Sequence, residues 1–197
     1  MYDYKWTKVM HKIIVSGCAL FALSTPIFAE VLSNSAYKEV VRHIKELNGE
    51  ESCYWSLVEG DAYRELTVAY PLDDNLSLIG FLCDHGAYMP HMIWLFRSET
   101  PDVNYEQIQF AVPVIEEGAD QISGVVTTEM LGQSYYDAAT KQLINSRWFA
   151  AGDISQTSVY TLDYRPDWSV KRFLLKSFSA DTKRNTQSTN VVISFNE

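Results

Sequence analysis

Hydrophobic positions along the chain follow two periodicities. Between residues 33 and 48, Val40, Val41, Ile44 and Leu47 recur at helical spacing, while Lys38, Glu39, Arg42, Lys45 and Glu46 fall largely on the opposite face. Ser33 or Ser35 can cap the start and Gly49 supplies the stop, so the pattern predicts a helix over 33–48 lying on a sheet. From Cys53 onward the apolar residues instead come in short runs rich in aromatic and β-branched side chains, separated by turn residues. These runs predict strands at 54–58, 63–70, 76–83, 91–96, 108–115, 133–137, 142–150, 158–164, 170–177 and 191–195. Pro113 suits an edge position in its strand. Residues 138–141 and 165–168 read as hairpin turns, and 101–104 as a loop.

Short strands with frequent turns and no Pro/Gly/Ser-rich linker argue for one mainly β (α+β) domain over 30–197. Its expected form is antiparallel sheets in a sandwich-like arrangement with one N-terminal helix. Two spans echo each other: the turn, Leu76, apolar strand and Cys83–Gly86 loop, and then the turn, Leu143, Trp148-Phe149 and Gly152-Asp153 loop. Chance similarity between β-hairpins is the competing account of that echo.

The run 76–96, LSLIGFLCDHGAYMPHMIWLF, concentrates the chemistry. Two apolar strands flank Cys83-Asp84-His85-Gly86-Ala87-Tyr88, where Gly86 permits a tight loop. Asp84, His85 and His91 are metal-ligand types, but no established ligand spacing appears, and the reading is no metal and no cofactor. Asp153 follows Gly152 as a polar turn residue first and an acid/base group second. There is no G-x-S-x-G, phosphate loop or dinucleotide fingerprint. Asp84, His85, Tyr88, His91 and Asp153 therefore stand as candidate binding residues, with no catalytic set assigned.

Residues 1–29 read as an export leader. Lys5, Lys8, His11 and Lys12 form a positive front, an uncharged apolar run follows, and small Ala29 precedes Glu30. A retained anchor is the rival, though the run is broken by Pro26 and falls short of the ~20 residues a spanning helix needs. A second rival is lipid attachment at Cys18, within Val15-Ser16-Gly17-Cys18. The mature chain is expected in a bacterial periplasm without a membrane span. The formal net charge is -9, and the leader holds three lysines against Asp3, so the remainder is more acidic still. That repels nucleic acid and favours solubility or cationic partners. With the leader removed, Cys53 and Cys83 remain, and an even count in an oxidising compartment predicts a disulfide.

Cys83-Asp84-His85-Gly86-Ala87-Tyr88 after an apolar strand resembles the C-x-x-G-A-Y-N signature of an uncharacterised family of exported bacterial proteins, domain of unknown function 1176. The turn near Leu143 followed by Ala151-Gly152-Asp153 resembles that family's second signature, R-G-x-G-D-C-G. The likeness spans roughly residues 50–178. Met89 replaces the signature's Asn, and Phe149, Ala150, Ile154 and Ser155 replace its Arg, Gly, Cys and Gly, so a second family disulfide is absent here. The resemblance implies export and a disulfide at Cys83, with no activity to carry over. The functional expectation is a non-enzymatic binding module of the cell envelope. Its partner would be an envelope protein or cationic ligand, with inhibition of a basic cell-wall enzyme as a variant. The alternative is a hydrolase using Asp84, His85 or Asp153. A purely structural envelope component is a third possibility.

Overall fold

Strands β3 (Leu76–His85) and β4 (Pro90–Ser98) form the centre of one sheet. They belong to a computed structural model that describes residues 29–49, 53, 55–59, 61–85, 89–99, 101–115, 122–149, 154–182 and 189–194. This first sheet runs β1 (Glu30–Val31), β2 (Val68–Asp73), β3, β4, β5 (Asn104–Gln107), and β8 (Met130–Leu131) also pairs with β4. A second sheet is a meander of β9 (Gln133–Asp137), β10 (Gln142–Phe149), β11 (Ile154–Tyr164), β12 (Lys171–Thr182) and β13 (Thr189–Ser194). A two-stranded ribbon, β6 (Phe110–Val114) with β7 (Gly124–Thr128), completes the strands among the described residues. Every pairing is antiparallel, so the fold is the expected mainly β sandwich with a helix near its N-terminus.

The central strands β3 and β4 are buried on both faces, which explains their nearly unbroken apolar sequence. On one face Ile79 and Phe81 lie beneath α1 (Asn34–Asn48), whose Tyr37, Val40 and Ile44 are buried. The Tyr37 ring stacks on Phe81 with centroids 6.0 Å apart. On the other face Trp94 and Phe96 meet the second sheet, where Phe96 stacks on Phe173 at 6.2 Å and Phe110 packs edge-on against Tyr160 at 5.1 Å. Trp94, Phe96, Phe110 and Tyr160 are among the largest fully buried side chains of the core.

Helix α1 starts where Ser33 accepts from the Ala36 amide at 3.3 Å. It stops at Gly49, whose φ of 80° is open to glycine and whose amide donates to the Lys45 carbonyl at 3.0 Å. Leu47, assigned by spacing to the apolar face, is 54% exposed instead. A larger correction concerns 54–58 and 63–70, which read as strands. The chain forms two short helices, α2 (Trp55–Val58) and α3 (Asp61–Arg64), and β2 begins at Val68. Trp55 and Val58 are both buried at a spacing of three, which a helical turn satisfies and alternation does not. The Tyr37 hydroxyl donates to the Val58 carbonyl at 2.5 Å, and Thr67 donates to the Tyr63 carbonyl at 3.0 Å, tying these turns to α1 and to β2. Aromatic and branched composition gave the wrong local reading because tertiary packing overrode propensity.

At one end of the sandwich two hairpin turns are pinned together. Trp168 and Lys141 both adopt positive φ, 57° and 54°, where a bulky side chain is rare. Trp168 stacks on Tyr164 at 4.4 Å and donates its indole proton to Asp73 in the β2–β3 turn at 2.7 Å. Lys141 sits 4.6 Å over the Tyr164 ring and donates to its hydroxyl.

Burial pushes the hydroxyls of Tyr37, Tyr136 and Tyr160 up to about 12. The unfolded chain ionises these phenols near pH 10 while the folded chain keeps them neutral, so their contribution is complete below pH 10 and is lost as pH rises towards 12. Alkaline titration followed by tyrosinate absorbance and circular dichroism is expected to show late tyrosines ionising together with loss of the sheet signal. Ionisation of all 12 tyrosines near pH 10 with the sheets intact would contradict this.

Candidate functional site

The end of the β3–β4 hairpin carries two of the five candidate residues as a pair. β3 is bulged between Leu82 and Asp84, so Cys83 falls out of register while Asp84 returns opposite His91. That extra residue places two consecutive groups, a thiol and a carboxylate, in different roles. Cys83 is disulfide-bonded to Cys53, with Cα atoms 4.9 Å apart, and joins the hairpin end to the segment between α1 and α2. The Asp84 Oδ2 lies 3.3 Å from Nδ1 of His91, with the two side chains 22% and 32% exposed. A proton on Nδ1 is donated to the carboxylate, which orients the ring and leaves Nε2 as its second polar atom. The other carboxylate oxygen, Oδ1, is buried without a hydrogen-bond partner among the described residues.

His85 closes β3 opposite Pro90, but its side chain, Tyr88 and Asp153 lie outside the described residues. The structure thus brings Asp84 and His91 together and leaves the remaining three candidates without a described side-chain position. Among the described residues no group of three His, Cys, Asp or Glu is placed to hold a metal ion. A carboxylate–imidazole pair can orient a base, yet acyl transfer also needs a hydroxyl or thiol within reach of the ring. Cys83, the thiol nearest in sequence, is committed to the disulfide.

A second polar group was not anticipated. On the inner face of the second sheet Asn145 and Arg147 of β10 lie opposite Ser158 and Gln156 of β11. Asn145 and Ser158 are 1% exposed and Gln156 is 7% exposed. Asn145 Oδ1 lacks a partner among the described residues. Burial pulls the Arg147 guanidinium below its usual range, with Tyr160 acting in the opposite direction. On β10 the inner face thus passes from apolar Leu143, fully buried, to polar Asn145, while Trp148 on the other face is 37% exposed. A Cβ on Gly132 would lie 2.6 Å from the Ser146 carbonyl oxygen, 2.9 Å from Arg147 Cγ and 2.9 Å from Met89 Sδ. That close approach places Met89, at the base of β4, beside Arg147, so the hairpin end and the buried polar block are neighbours. The available signal in the sequence was the alternation Leu143, Asn145, Arg147, which reads equally well as an outward face.

No described helix is long and apolar enough to cross a membrane. Comparison with known proteins finds no matching family model, no matching curated protein and no matching solved structure.

Proposed function

We propose that the chain is a non-enzymatic binding module of the bacterial cell envelope, exported to the periplasm by a leader over 1–29 and related to the domain of unknown function 1176 family. The observation that supports this most directly is the bracing of the hairpin end. The Cys53–Cys83 disulfide and the Asp84–His91 pair brace β3 and β4 on either side of residues 86–88. A loop presented from a crosslinked scaffold loses less freedom on binding, which favours recognition. The net charge of -9 directs the module towards a cationic partner, and a basic cell-wall enzyme of the lysozyme type is the first to test.

Lysis of a cell-wall suspension by lysozyme is expected to fall to background near a stoichiometric ratio of the oxidised protein. A variant carrying Asp84→Asn, His85→Gln and Tyr88→Ala should need about a tenfold higher concentration, the loss of one charge-assisted contact. Undiminished lysis at large excess would eliminate this partner.

The Asp84–His91 pair favours one competing reading, a hydrolase using Asp84, His85 or Asp153. That reading requires turnover of an ester or glycan substrate that Asp84→Asn abolishes, and the binding module requires none.

A further inference from the structure

The outer surface of α1 carries a basic groove in an otherwise acidic protein. Asn34, Lys38, Val41 and Lys45 form one stripe along the helix, with Tyr37 and Arg42 beside it and Glu59 at the rim, around a cavity of about 470 Å³. Among the described residues lining it three cations meet one carboxylate, Glu59, with Glu46 beside Arg42 as a second, against a net charge of -9 for the chain. Arg42 is paired with Glu46 at 2.9 Å, but both side chains are more than half exposed, so the pair exchanges readily with solvent and ligands. Lys45 reaches Glu59 at 3.2 Å and lies 5.4 Å over the Trp55 ring. Lys38 makes no ion pair among the described residues.

We propose that this groove binds an extended acidic peptide, with carboxylates on Lys38 and Arg42 and a third displacing Glu59 from Lys45. The Lys38–Arg42 spacing fits, since four helical residues advance ~6 Å and same-face side chains of an extended chain recur every ~6.8 Å, and Lys45 lies a further ~4.5 Å along, within the span of its long side chain. Tyr37 and Val41 supply an apolar floor between the charged positions. The positive end of the helix dipole lies at Asn34, at one end of the groove. A concave site of this size does not match a flat bilayer, and the acidic remainder of the molecule repels a nucleic acid. The site is independent of the hairpin end, so it stands whatever that end recognises.

The test uses the purified oxidised protein and a labelled, capped hexapeptide of alternating aspartate and alanine, read by fluorescence anisotropy at low ionic strength. Saturable binding is expected, about tenfold weaker in Lys38→Gln/Arg42→Gln, whose exposed positions leave the helix intact by circular dichroism. Glu59→Gln is expected to tighten binding several-fold, because the ligand no longer competes with a resident carboxylate. A merely solvated basic face would shift in the same directions but would not saturate at one peptide per protein, so the stoichiometry distinguishes the groove. Absence of saturable binding, equal affinity in the double variant, or weaker binding in Glu59→Gln overturns the proposal. Equal competition by inorganic phosphate, or preferential binding to anionic phosphatidylglycerol vesicles, overturns it as a peptide site.

Discussion

Replacing Trp94 with alanine is expected to lower the unfolding free energy by about 4 kcal/mol, towards the upper part of the range for buried aromatic truncations. The ring is fully buried between the sheets. It fits there because Gly80 lies opposite on β3, where a Cβ would come within 2.8 and 2.9 Å of ring carbons. Its indole proton is donated to the Ser134 hydroxyl at 2.8 Å, linking the first sheet to β9 of the second. Truncation therefore creates a cavity against a glycine, which has no side chain to fill it, and orphans a contact between sheets. Ser134→Ala, which removes the acceptor alone, should cost about 1 kcal/mol. Urea unfolding of the two oxidised variants checks both. Similar midpoints for Trp94→Ala and Ser134→Ala would show that the ring contributes little beyond its hydrogen bond.

Loss of the disulfide is expected to be nearly as costly. Cys53 and Cys83 are 30 residues apart, and on the chain-entropy account a loop of that length is worth about 3.5 kcal/mol. For a chain of this size the corresponding fall in Tm is about 7–14 °C. The double variant Cys53→Ser/Cys83→Ser and the reduced wild type should unfold at the same temperature, below the oxidised wild type. A reduced protein as stable as the oxidised one would mean that the crosslink constrains a region already ordered in the unfolded ensemble. Because α2 and α3 lie between the two cysteines and contribute few residues each, they are expected to be the first elements lost.

Elements whose local pattern agreed with their packing were legible in the sequence. Helix α1 was placed to within a residue because its cap, stripe and terminating glycine all coincide. The β3–β4, β9–β10 and β11–β12 hairpins followed from their turns. Their strands run longer than expected, since β11 starts at Ile154 and β12 continues to Thr182 through polar residues. Hydrogen bonding to neighbours extends a strand where composition alone gives no signal. Strands β1, β5 and β8 were missed for the same reason, being short and paired without an apolar run of their own, whereas β7 was missed although Val125–Thr128 is β-branched throughout.

At the candidate site, Cys53–Cys83 was readable from the cysteine count together with the expectation of export. The Asp84–His91 contact was not, because it depends on a bulge that restores Asp84 to register after Cys83. Without that bulge, counting along an ideal hairpin misassigns the cross-strand partner. The buried block around Asn145 was hidden by the two-fold ambiguity of strand alternation, which fixes which residues share a face but not which face turns inward.

The register of β12 with β13 has a consequence for how the molecule behaves in a crowded compartment. β13 covers Ser177–Thr182 and leaves the first half of β12 outside its pairing. An open strand edge is a template for intermolecular sheet growth. The half outside that register carries Lys171, Arg172 and Lys176, whereas the covered half carries Asp181 alone among charged residues. Lys171 is paired with Glu106 at 2.6 Å and Arg172 with Asp163 at 2.9 Å, so that half presents paired charges that a second copy would have to desolvate in order to dock. The sheet is thus guarded in two ways along one strand, by a partner where charge is sparse and by the cost of stripping water from ion pairs where the partner ends.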